Sequence, residues 1–342
     1  MKINPSQLRS LLAAYVPARL PVLITGAPGI GKSDIVEQAA KAAGHDLLIS
    51  HPVVEDPTDS KGLPFPNSDG SGARFLPFGD LAKAMTAERP LVWFIDDLGQ
   101  ASPSVQAAKM QLLLARKIGE HKLPEYVTFV AATNRRVDNA GVSNILDPLK
   151  SRFATIVELE PCIQAWTEWA VSNDVAPDLI AFLRFRPALL FTDQKTKELE
   201  NLPSPRGWGS VARQLPVVPK GLELEAIAGA VGEAAAAEFI AFRQIYQHLP
   251  SIDGILTAPD VAPIPTNLSA LCAIATALGQ ASHPNNFDRV MVYAHRMMAA
   301  GYSEYAVMLC SDAVRRNSEI CATPAWIKAQ GTEFGRLIMG NA

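Results

Sequence analysis

The sequence predicts an α/β domain built on a parallel sheet and followed by a region of helices alone. Residues 21–44 combine a short apolar strand, a glycine-bearing loop and an amphipathic helix closed by Gly44. Residues 91–95, LVWFI, are all apolar, which is typical of a strand buried on both faces of a parallel sheet. After residue 160 the apolar residues recur three and four positions apart, the period of helices. These three observations carry the prediction.

The composition is that of an ordinary globular protein. The chain has 342 residues, of which 48% are hydrophobic, enough for two domains with apolar cores. Its 31 basic and 34 acidic residues give a net charge of −3, so bulk charge argues against a nucleic-acid partner. No stretch reaches the ~18 uncharged apolar residues of a membrane span. We therefore expect a cytoplasmic protein with no membrane contact.

Neither the cysteines nor the histidines indicate a metal site. The four cysteines are scattered and form no C-x-x-C pair, which favours buried free thiols in a reducing compartment over disulfides or zinc. The six histidines show no metal-ligand spacing. No catalytic role is assigned to them.

Residues 26–33 match the P-loop pattern G-x-x-x-x-G-K-[ST] between a strand and a helix, which is its required context. The glycines let successive backbone N–H groups point at phosphate oxygens, and the helix N-terminus adds partial positive charge. Lys32 is expected to reach the β and γ phosphates, and the Ser33 hydroxyl to bind Mg²⁺. The residues predicted to hold the nucleotide are Gly26, Ala27, Pro28, Gly29, Ile30, Gly31, Lys32, Ser33 and Asp34.

Asp96 and Asp97 directly follow the apolar run at 91–95. Acids after a strand are common turn residues, but beside a P-loop an acid at a strand tip is placed to hold Mg²⁺. Asp96 and Ser33 are the predicted metal ligands, and Asp97 is predicted to polarise the attacking water. P-loop enzymes carry Glu at this second position. Asp is one methylene shorter, which leaves the rate of hydrolysis open.

Four more motifs complete the pattern: DPTDSKGLP at 56–64, YVTFVAATN at 126–134, ILDPLKSRF at 145–153 and LPSPRGWGSVARQL at 202–215. In this order, together with the P-loop and the two acids, they resemble an AAA+ ATPase, and in detail its MoxR branch. The resemblance spans residues 8–245. It implies bound ATP and Mg²⁺.

The resemblance also implies three catalytic side chains. Asn134 is similar to sensor 1, an amide that helps to position the attacking water, although Asn also suits a plain turn. Arg152 matches the arginine finger, which acts on the nucleotide of a neighbouring subunit. Lys150, Arg135 and Arg136 are the nearby alternatives for this finger.

The third of these side chains is Arg206, which resembles sensor 2. Ser204 as N-cap and Pro205 at the first helical position would place it in the first turn of a helix. Gly207 and Gly209 weaken that helix, and Arg213, two turns on, is the fallback.

Two segments resemble insertions that face the ring axis in the family. Residues 50–77 are rich in Gly, Pro, Asn and Ser and predict a long irregular loop or hairpin. Residues 117–122 predict a second hairpin turning at Gly119. Both are candidate substrate-facing segments, and solvated loops without a partner are the alternative.

The predicted organisation has three parts. Residues 1–159 form the AAA+ α/β nucleotide-binding domain, 160–250 a helical lid, and 251–342 a helical extension without an assigned role. Residues 255–267, with three prolines, predict an extended connector.

The leading functional hypothesis is Mg-ATP hydrolysis in an oligomeric ring that remodels or assembles a partner protein. The resemblance implies that this ring is a hexamer. The resemblance suggests a von Willebrand factor A domain partner. One alternative is an ATP-binding switch with little hydrolysis, and another is a nucleic-acid motor.

Overall fold

The computed structural model describes residues 1–118, 121–138, 145–194, 196, 198–247, 249–332 and 335. The chain divides into two compact units, Met1–Cys162 and a second unit that begins at Ile163. The first is α/β and the second is helical, as the sequence predicts. The further division of the second unit into lid and extension stays a prediction.

The first unit is organised around a parallel sheet. Its strands are β1 Lys2–Ile3, β2 Val22–Thr25, β3 Asp46–Ser50, β4 Leu63–Pro66, β5 Ala73–Leu76, β6 Leu91–Ile95, β7 Lys117–Ile118, β8 His121–Lys122, β9 Val127–Thr133 and β10 Thr155–Leu159. Among the described residues, six of them form one sheet in the order β1-β10-β2-β9-β6-β3, with every neighbouring pair parallel. β4 with β5 and β7 with β8 form two separate antiparallel hairpins.

Helices cover this sheet: α1 Pro5–Tyr15, α2 Lys32–Ala42, α3 Pro57–Lys61, α4 Gly79–Met85, α5 Pro103–Ala115 and α6 Asp147–Lys150. β6 and β9 are buried at every position, as expected for strands with helices on both faces. From sequence, Ser102 as N-cap and Pro103 at the first helical position predict the start of α5. This start is confirmed, because the Ser102 side chain accepts from Val105 N–H and Pro103 is the first residue of the helix.

The buried face of α5 differs from the prediction at one residue and includes one charged side chain. The spacing of Val105, Ala108, Leu112 and Ala115 predicts one buried face. The first three are buried as expected, but Ala115 is exposed at the last turn. Lys109, four positions after Val105 and three before Leu112, lies on this same face and is buried although its side chain is charged. The reason is a partner elsewhere in the first unit, described below.

The second unit consists of α7 Ile163–Ser172, α8 Pro177–Phe185, α9 Pro205–Gln214, α10 Glu223–Val231, α11 Glu233–Gln247, α12 Ile252–Thr257, α13 Leu268–Ala281, α14 Phe287–Ala299, α15 Ser303–Arg316 and α16 Pro324–Gln330. Arg184 of α8 forms a buried bidentate pair with Asp312 of α15, with a contact of 2.8 Å between Nη2 and Oδ1. A charged pair removed from water in this way fixes the relative position of the two helices.

Residues 255–267 are only partly the extended connector that the prolines predict. Ile252–Thr257 is helical and Ile255 is buried in the core, so the extended part begins after α12. Ser251, whose hydroxyl accepts from Gly254 N–H, starts this helix before the first proline of the segment. The sequence PAWIKAQGTEFGRLIM at 324–339 predicts a last helix, and most of its part after Gln330 lies outside the described residues.

The cysteines are free, but only two of the four are buried. Burial raises the pKa of the Cys272 thiol to about 11 and also raises that of Cys310, so neither is a reactive thiolate at neutral pH. Cys321 is exposed and Cys162 half-buried, contrary to the expectation of buried thiols. In the described part of the chain, no helix has both the length and the apolar character needed to span a membrane.

Candidate nucleotide-binding site

Three loops of the candidate site leave the same edge of the sheet. In the register of the parallel strands, Thr25 at the end of β2 lies beside Thr133 at the end of β9. Ile95 ends β6 on the other side of β9. Carboxyl ends of parallel strands are where α/β proteins bind their ligands. The residues that follow these strands therefore meet: the loop from Gly26, the acids from Asp96, and Asn134.

The loop from Gly26 to Gly31 has the backbone that the pattern predicts. Gly29 and Gly31 adopt left-handed conformations, with φ of 73° and 91°, which favour glycine. Gly26 is needed for a different reason, because a Cβ there would lie 2.7 Å from Ile30 Cδ1 and 2.9 Å from the Leu159 carbonyl oxygen. Both contacts are too short for real atoms.

The other loop residues surround this turn. Ala27 and Ile30 are buried, whereas Pro28 is exposed. Gly31 is the N-cap of α2, which begins at Lys32, and Asp34 is exposed in its first turn. The free backbone N–H groups at this helix start are suited to bind an anion.

Lys32 is buried and its ammonium connects the loop to Asn134. Its Nζ donates to the carbonyl oxygens of Gly26 at 3.0 Å and Ala27 at 2.9 Å, and to Asn134 Oδ1 at 2.8 Å. The amide nitrogen of Asn134 in turn donates to Asp97 Oδ1 at 3.2 Å. Asn134 thus joins the predicted phosphate-binding lysine to the predicted hydrolytic carboxylate.

The two predicted metal ligands are in direct contact. Ser33 Oγ donates to Asp96 Oδ2 at 2.7 Å, and the other carboxylate oxygen of Asp96 accepts from Asp97 N–H at 3.0 Å. Asp96 N–H is itself fixed by the Ser50 carbonyl at the end of β3. A hydroxyl beside a carboxylate is an oxygen-only donor set of the kind that Mg²⁺ prefers. The residues present therefore fit the metal predicted from the sequence.

Asp97 has an unusual backbone for a residue other than glycine. Its φ is 55° and its ψ is 34°, the left-handed region, in which Asp and Asn are the side chains most often tolerated. Oδ1 accepts from Gln100 Nε2 at 2.9 Å as well as from Asn134. Strained backbone that the surroundings hold in place is characteristic of functional sites.

The candidate arginine fingers differ in how they are held. The guanidinium of Arg135 is bound by Asp138, at 2.8 Å, and lies 3.7 Å from Glu158. Lys150 forms a surface pair with Asp147 at 2.7 Å. By contrast, the one hydrogen bond of the Arg152 guanidinium to a described residue runs from Nη1 to the neighbouring Ser151 Oγ. These contacts leave Arg152 better able than Arg135 or Lys150 to reach another subunit.

Two further observations bear on Arg152 and Arg136. The Nε of Arg152 is buried and has no hydrogen-bond partner among the described residues. Arg136 is exposed, and no partner of its side chain lies among those residues, so it remains the alternative finger. The role of either one stays a prediction.

Arg206 lies in the second unit, exposed, at the second position of α9. The Ser204 hydroxyl accepts from Gly207 N–H and Pro205 follows, as the sequence predicts for this helix start. Arg213 lies in the last turn of the same helix. That Arg206 acts as sensor 2 stays a prediction.

The two inserted segments form hairpins that contact each other. Residues 50–77 contain the short helix α3, capped by Asp56, and the hairpin of β4 and β5, which displays exposed Phe65 and Phe75. His121 Nε2 of the second hairpin lies 2.7 Å from the Phe75 carbonyl oxygen. The predicted turn at Gly119 lies outside the described residues.

Sequence reasoning missed a buried ion pair behind the site. Lys109 Nζ of α5 lies 2.7 Å from Glu55 Oε2, with side-chain exposures of 2% and 13%. The two atoms lack the alignment of a hydrogen bond, and neither oxygen of Glu55 has another donor among the described residues. The ammonium also lies 5.2 Å from the centre of the Trp93 ring, whose Nε1 donates to Ser50 Oγ at 2.9 Å.

Sequence reasoning also missed Gln100, which follows the two acids and holds Asp97. A glutamine in a turn gives no distinctive sequence signal. Whether its side chain reaches Asp97 depends on the backbone conformation of the turn, which the sequence does not show. Its separation of three residues from Asp97, the reach of a capping interaction, is the only signal that sequence offers.

Residues 21–153 match the family model of the AAA domain, dynein-related subfamily. The matched range contains the phosphate loop, Asp96, Asp97, Asn134 and Arg152. The AAA+ P-loop fold predicted for the first unit is therefore confirmed, whereas the MoxR branch stays a prediction. A search of curated protein sequences gave no match.

Solved structures similar to this chain include the Thermotoga maritima RuvB Holliday junction branch migration motor. It shares 17% identity with this chain, over 87% of each, at a TM-score of 0.39. A mutant form of Thermotoga maritima RuvB shares 16% identity over 98% of this chain and 94% of its own, at a TM-score of 0.37. TM-scores this low carry no inference about function.

Proposed function

We propose that this chain hydrolyses Mg-ATP. The observation that carries the proposal is the continuous hydrogen-bonded path from Lys32 through Asn134 to Asp97, beside the contact of Ser33 with Asp96. Phosphoryl transfer to water needs positioning and charge neutralisation rather than covalent chemistry. This arrangement supplies a cation, an amide, a metal-binding pair and a carboxylate within one set of loops.

Each group has a distinct role in this proposal. The backbone of residues 26–34 and Lys32 bind the phosphates, and Ser33 and Asp96 hold Mg²⁺, which would neutralise charge on the transferring group. Asp97 accepts a proton from the attacking water, and Asn134 orients that water. Arg152 from a neighbouring subunit and Arg206 from the second unit stabilise the developing negative charge.

The wider proposal is a MoxR-like cytoplasmic ring, a hexamer by the family resemblance, that remodels or assembles a partner protein. A partner with a von Willebrand factor A domain is consistent with that resemblance. The lid at 160–250 is proposed to move with the nucleotide state. A nucleic-acid substrate is a weaker candidate, because the net charge of −3 offers no bulk attraction to phosphates.

The test is phosphate release from Mg-ATP by the unmutated protein and by Asp97→Asn, at protein concentrations that span assembly. Asn keeps an acceptor for the two amides but cannot take a proton, so we expect a fall in turnover of about 100-fold or more. Binding of a fluorescent ATP analogue should be unchanged. Asp288→Asn, at an exposed aspartate of α14, is the matched control and should behave as the unmutated protein.

The second candidate function is an ATP-binding switch, and the short side chain at position 97 favours it. Under this alternative the unmutated protein and Asp97→Asn bind ATP equally and neither releases phosphate at any concentration. Assembly would then respond to ATP binding alone, which sedimentation with and without nucleotide would detect. Failure to bind ATP at all would refute both candidates.

A further inference from the structure

The turn that carries Asp97 holds its carboxylate in an asymmetric way. Both amide donors, Gln100 Nε2 at 2.9 Å and Asn134 Nδ2 at 3.2 Å, reach Oδ1. Oδ2 accepts no hydrogen bond from any residue that the structure describes. One oxygen is thus fixed by the protein and the other is left for a ligand.

The backbone alone does not fix this orientation. Asp97 is in the left-handed region at the N-cap of a 3₁₀ turn, Leu98–Gln100, and its side chain accepts no hydrogen bond from the backbone of that turn. The turn is closed by the main chain, through Gln100 N–H to the Asp97 carbonyl oxygen at 2.9 Å. The carboxylate therefore depends on side-chain donors for its direction.

The side chain of Gln100 is in an unfavourable environment for its amide oxygen. Its Oε1 is buried and has no hydrogen-bond donor among the described residues. A buried unpaired amide oxygen is unfavourable, and an apolar side chain of the same shape would avoid the cost. An apolar side chain could not make the hydrogen bond that Nε2 donates to Asp97.

We propose that Gln100 is a positioning residue for hydrolysis: together with Asn134 it fixes Oδ1 of Asp97 so that Oδ2 faces the attacking water. This proposal rests on the proposed function, because it assigns Asp97 to the water. The two donors are not equivalent. Asn134 also contacts Lys32 and so responds to the phosphates, whereas Gln100 holds Asp97 from within the same turn.

The proposal explains how a side chain one methylene shorter than Glu can serve. A short carboxylate has fewer rotatable bonds, so once one oxygen is fixed the other has a defined direction. Loss of the Gln100 donor leaves Asp97 attached by the longer of the two hydrogen bonds. Misplacement of a catalytic group by about 1 Å costs ~100-fold in rate.

The experiment compares Gln100→Met and Gln100→Glu with the unmutated protein. Met keeps the length and removes both polar atoms, and Glu replaces the donor by a carboxylate that repels Asp97. We expect kcat to fall by about 10-fold to 100-fold for Met and further for Glu. KM, the binding of a fluorescent ATP analogue and the thermal midpoint should stay at their unmutated values for Met.

Gln111→Met and Gln111→Glu are the matched controls, because Gln111 is exposed on α5 close behind the site in sequence. They should leave kcat and KM unchanged. A double variant, Gln100→Met with Asn134→Ala, separates positioning from general damage to the turn. If both amides act on one oxygen, the increase in activation free energy in the double variant differs from the sum of the increases in the two single variants.

The outcomes are distinct. Unchanged kcat in both Gln100 variants, while the unmutated protein turns over, would overturn the positioning role and leave the proposed function intact. A parallel loss of kcat, nucleotide binding and thermal midpoint in Gln100→Met would also overturn it, in favour of a purely structural turn. No turnover by the unmutated protein at any concentration refutes the proposed function, and this proposal with it.

Discussion

At the residue scale, Gly26 shows why a pattern position requires its residue type. Its φ is not in the left-handed region, so backbone freedom is not the reason. The reason is space, because the Leu159 carbonyl oxygen would lie 2.9 Å from an added Cβ and cannot rotate away.

We predict that Gly26→Ala weakens ATP binding, since the loop must shift to make room for the methyl group. Overpacking of this kind costs about 1–3 kcal/mol, which corresponds to roughly a 5-fold to 150-fold loss of affinity if it falls on the bound state. Titration with a fluorescent ATP analogue measures it. Gly229→Ala is the control, because nothing lies within 4 Å of its Cβ position, and affinity should not change.

Much of the candidate site could be predicted at this scale. The parallel sheet brings together the positions that follow its strands or begin the first helix after the phosphate loop. These positions are Lys32, Ser33, Asp96, Asp97 and Asn134. Gln100 could not be found in the same way. Its role depends on the left-handed backbone at Asp97, a conformation that Asp tolerates but that the residue type alone does not predict.

At the scale of elements, the two glycines of α9 differ in whether their surroundings leave room for a side chain. A Cβ at Gly207 would lie 2.7 Å from the Ala230 carbonyl oxygen of α10, so this glycine allows the two helices to approach closely. At Gly209 the nearest atom is Trp169 Cη2 at 3.8 Å, an ordinary contact.

We predict opposite effects of alanine at these two positions. Gly207→Ala should lower the free energy of unfolding by about 1–3 kcal/mol, because α9 and α10 must separate. Gly209→Ala should raise it by about 0.5–1 kcal/mol, the usual gain from removing a glycine inside a helix. Urea unfolding followed by circular dichroism compares the two. A loss of stability in Gly209→Ala as large as that in Gly207→Ala would contradict this account.

The buried pair of Lys109 and Glu55 gives a second prediction at this scale. Lys109→Met leaves an uncompensated buried carboxylate and should cost about 3–5 kcal/mol of unfolding free energy. Adding Glu55→Leu should restore most of that loss, because two apolar side chains replace two charges. Urea unfolding is again the measurement.

Lys83→Met is the matched control for this pair. Lys83 makes a surface contact with Asp80 at 3.1 Å, and such pairs contribute about 0–1 kcal/mol. A double variant of Lys109 and Glu55 less stable than Lys109→Met alone would show that the pair stabilises the unit in a way that apolar packing cannot replace.

Helix starts were the most predictable feature of the elements. Ser102 with Pro103, and Ser204 with Pro205, mark starts through local hydrogen bonds that involve only neighbouring residues. Burial in the middle of a helix was less predictable. Lys109 is buried because of Glu55, which lies 54 positions away along the chain (109 − 55), and a helical period carries no information about such a partner.

At the scale of the whole molecule, Arg152 makes the proposed mechanism depend on assembly. The two residues that the proposal assigns to one reaction, Asp97 and Arg152, would come from different copies of the chain. Either variant alone, Asp97→Asn or Arg152→Ala, should then lose turnover, by about 1,000-fold for the arginine.

We predict that mixing these two inactive variants restores part of the activity. In a mixed assembly, some subunits with an intact Asp97 receive an intact Arg152 from an Asp97→Asn neighbour. Phosphate release should rise when the two are combined, and each variant alone at the same total concentration is the control. No recovery, in mixtures shown by sedimentation to contain both chains, would place the arginine in the same subunit as its nucleotide or exclude Arg152 as the finger.

Sequence alone predicted the order of the two units but not the contacts that complete a site. The α/β core and the helical region follow from residue periods, which are local. The roles proposed for Arg206 and Arg152 would depend on another unit or another copy, and a pattern within one segment cannot specify them.

The left-handed backbone of Asp97 also bears on how this protein could change in evolution or in engineering. Restoring the usual Glu would lengthen the acid, but Glu is less well tolerated in that backbone conformation than Asp or Asn. A longer carboxylate would gain reach and lose both conformational fit and the spacing to two amides. We therefore expect a change of the acid at position 97 to require a change of the turn that carries it. A designed variant with Glu at this position would need a new sequence for all of residues 97–100.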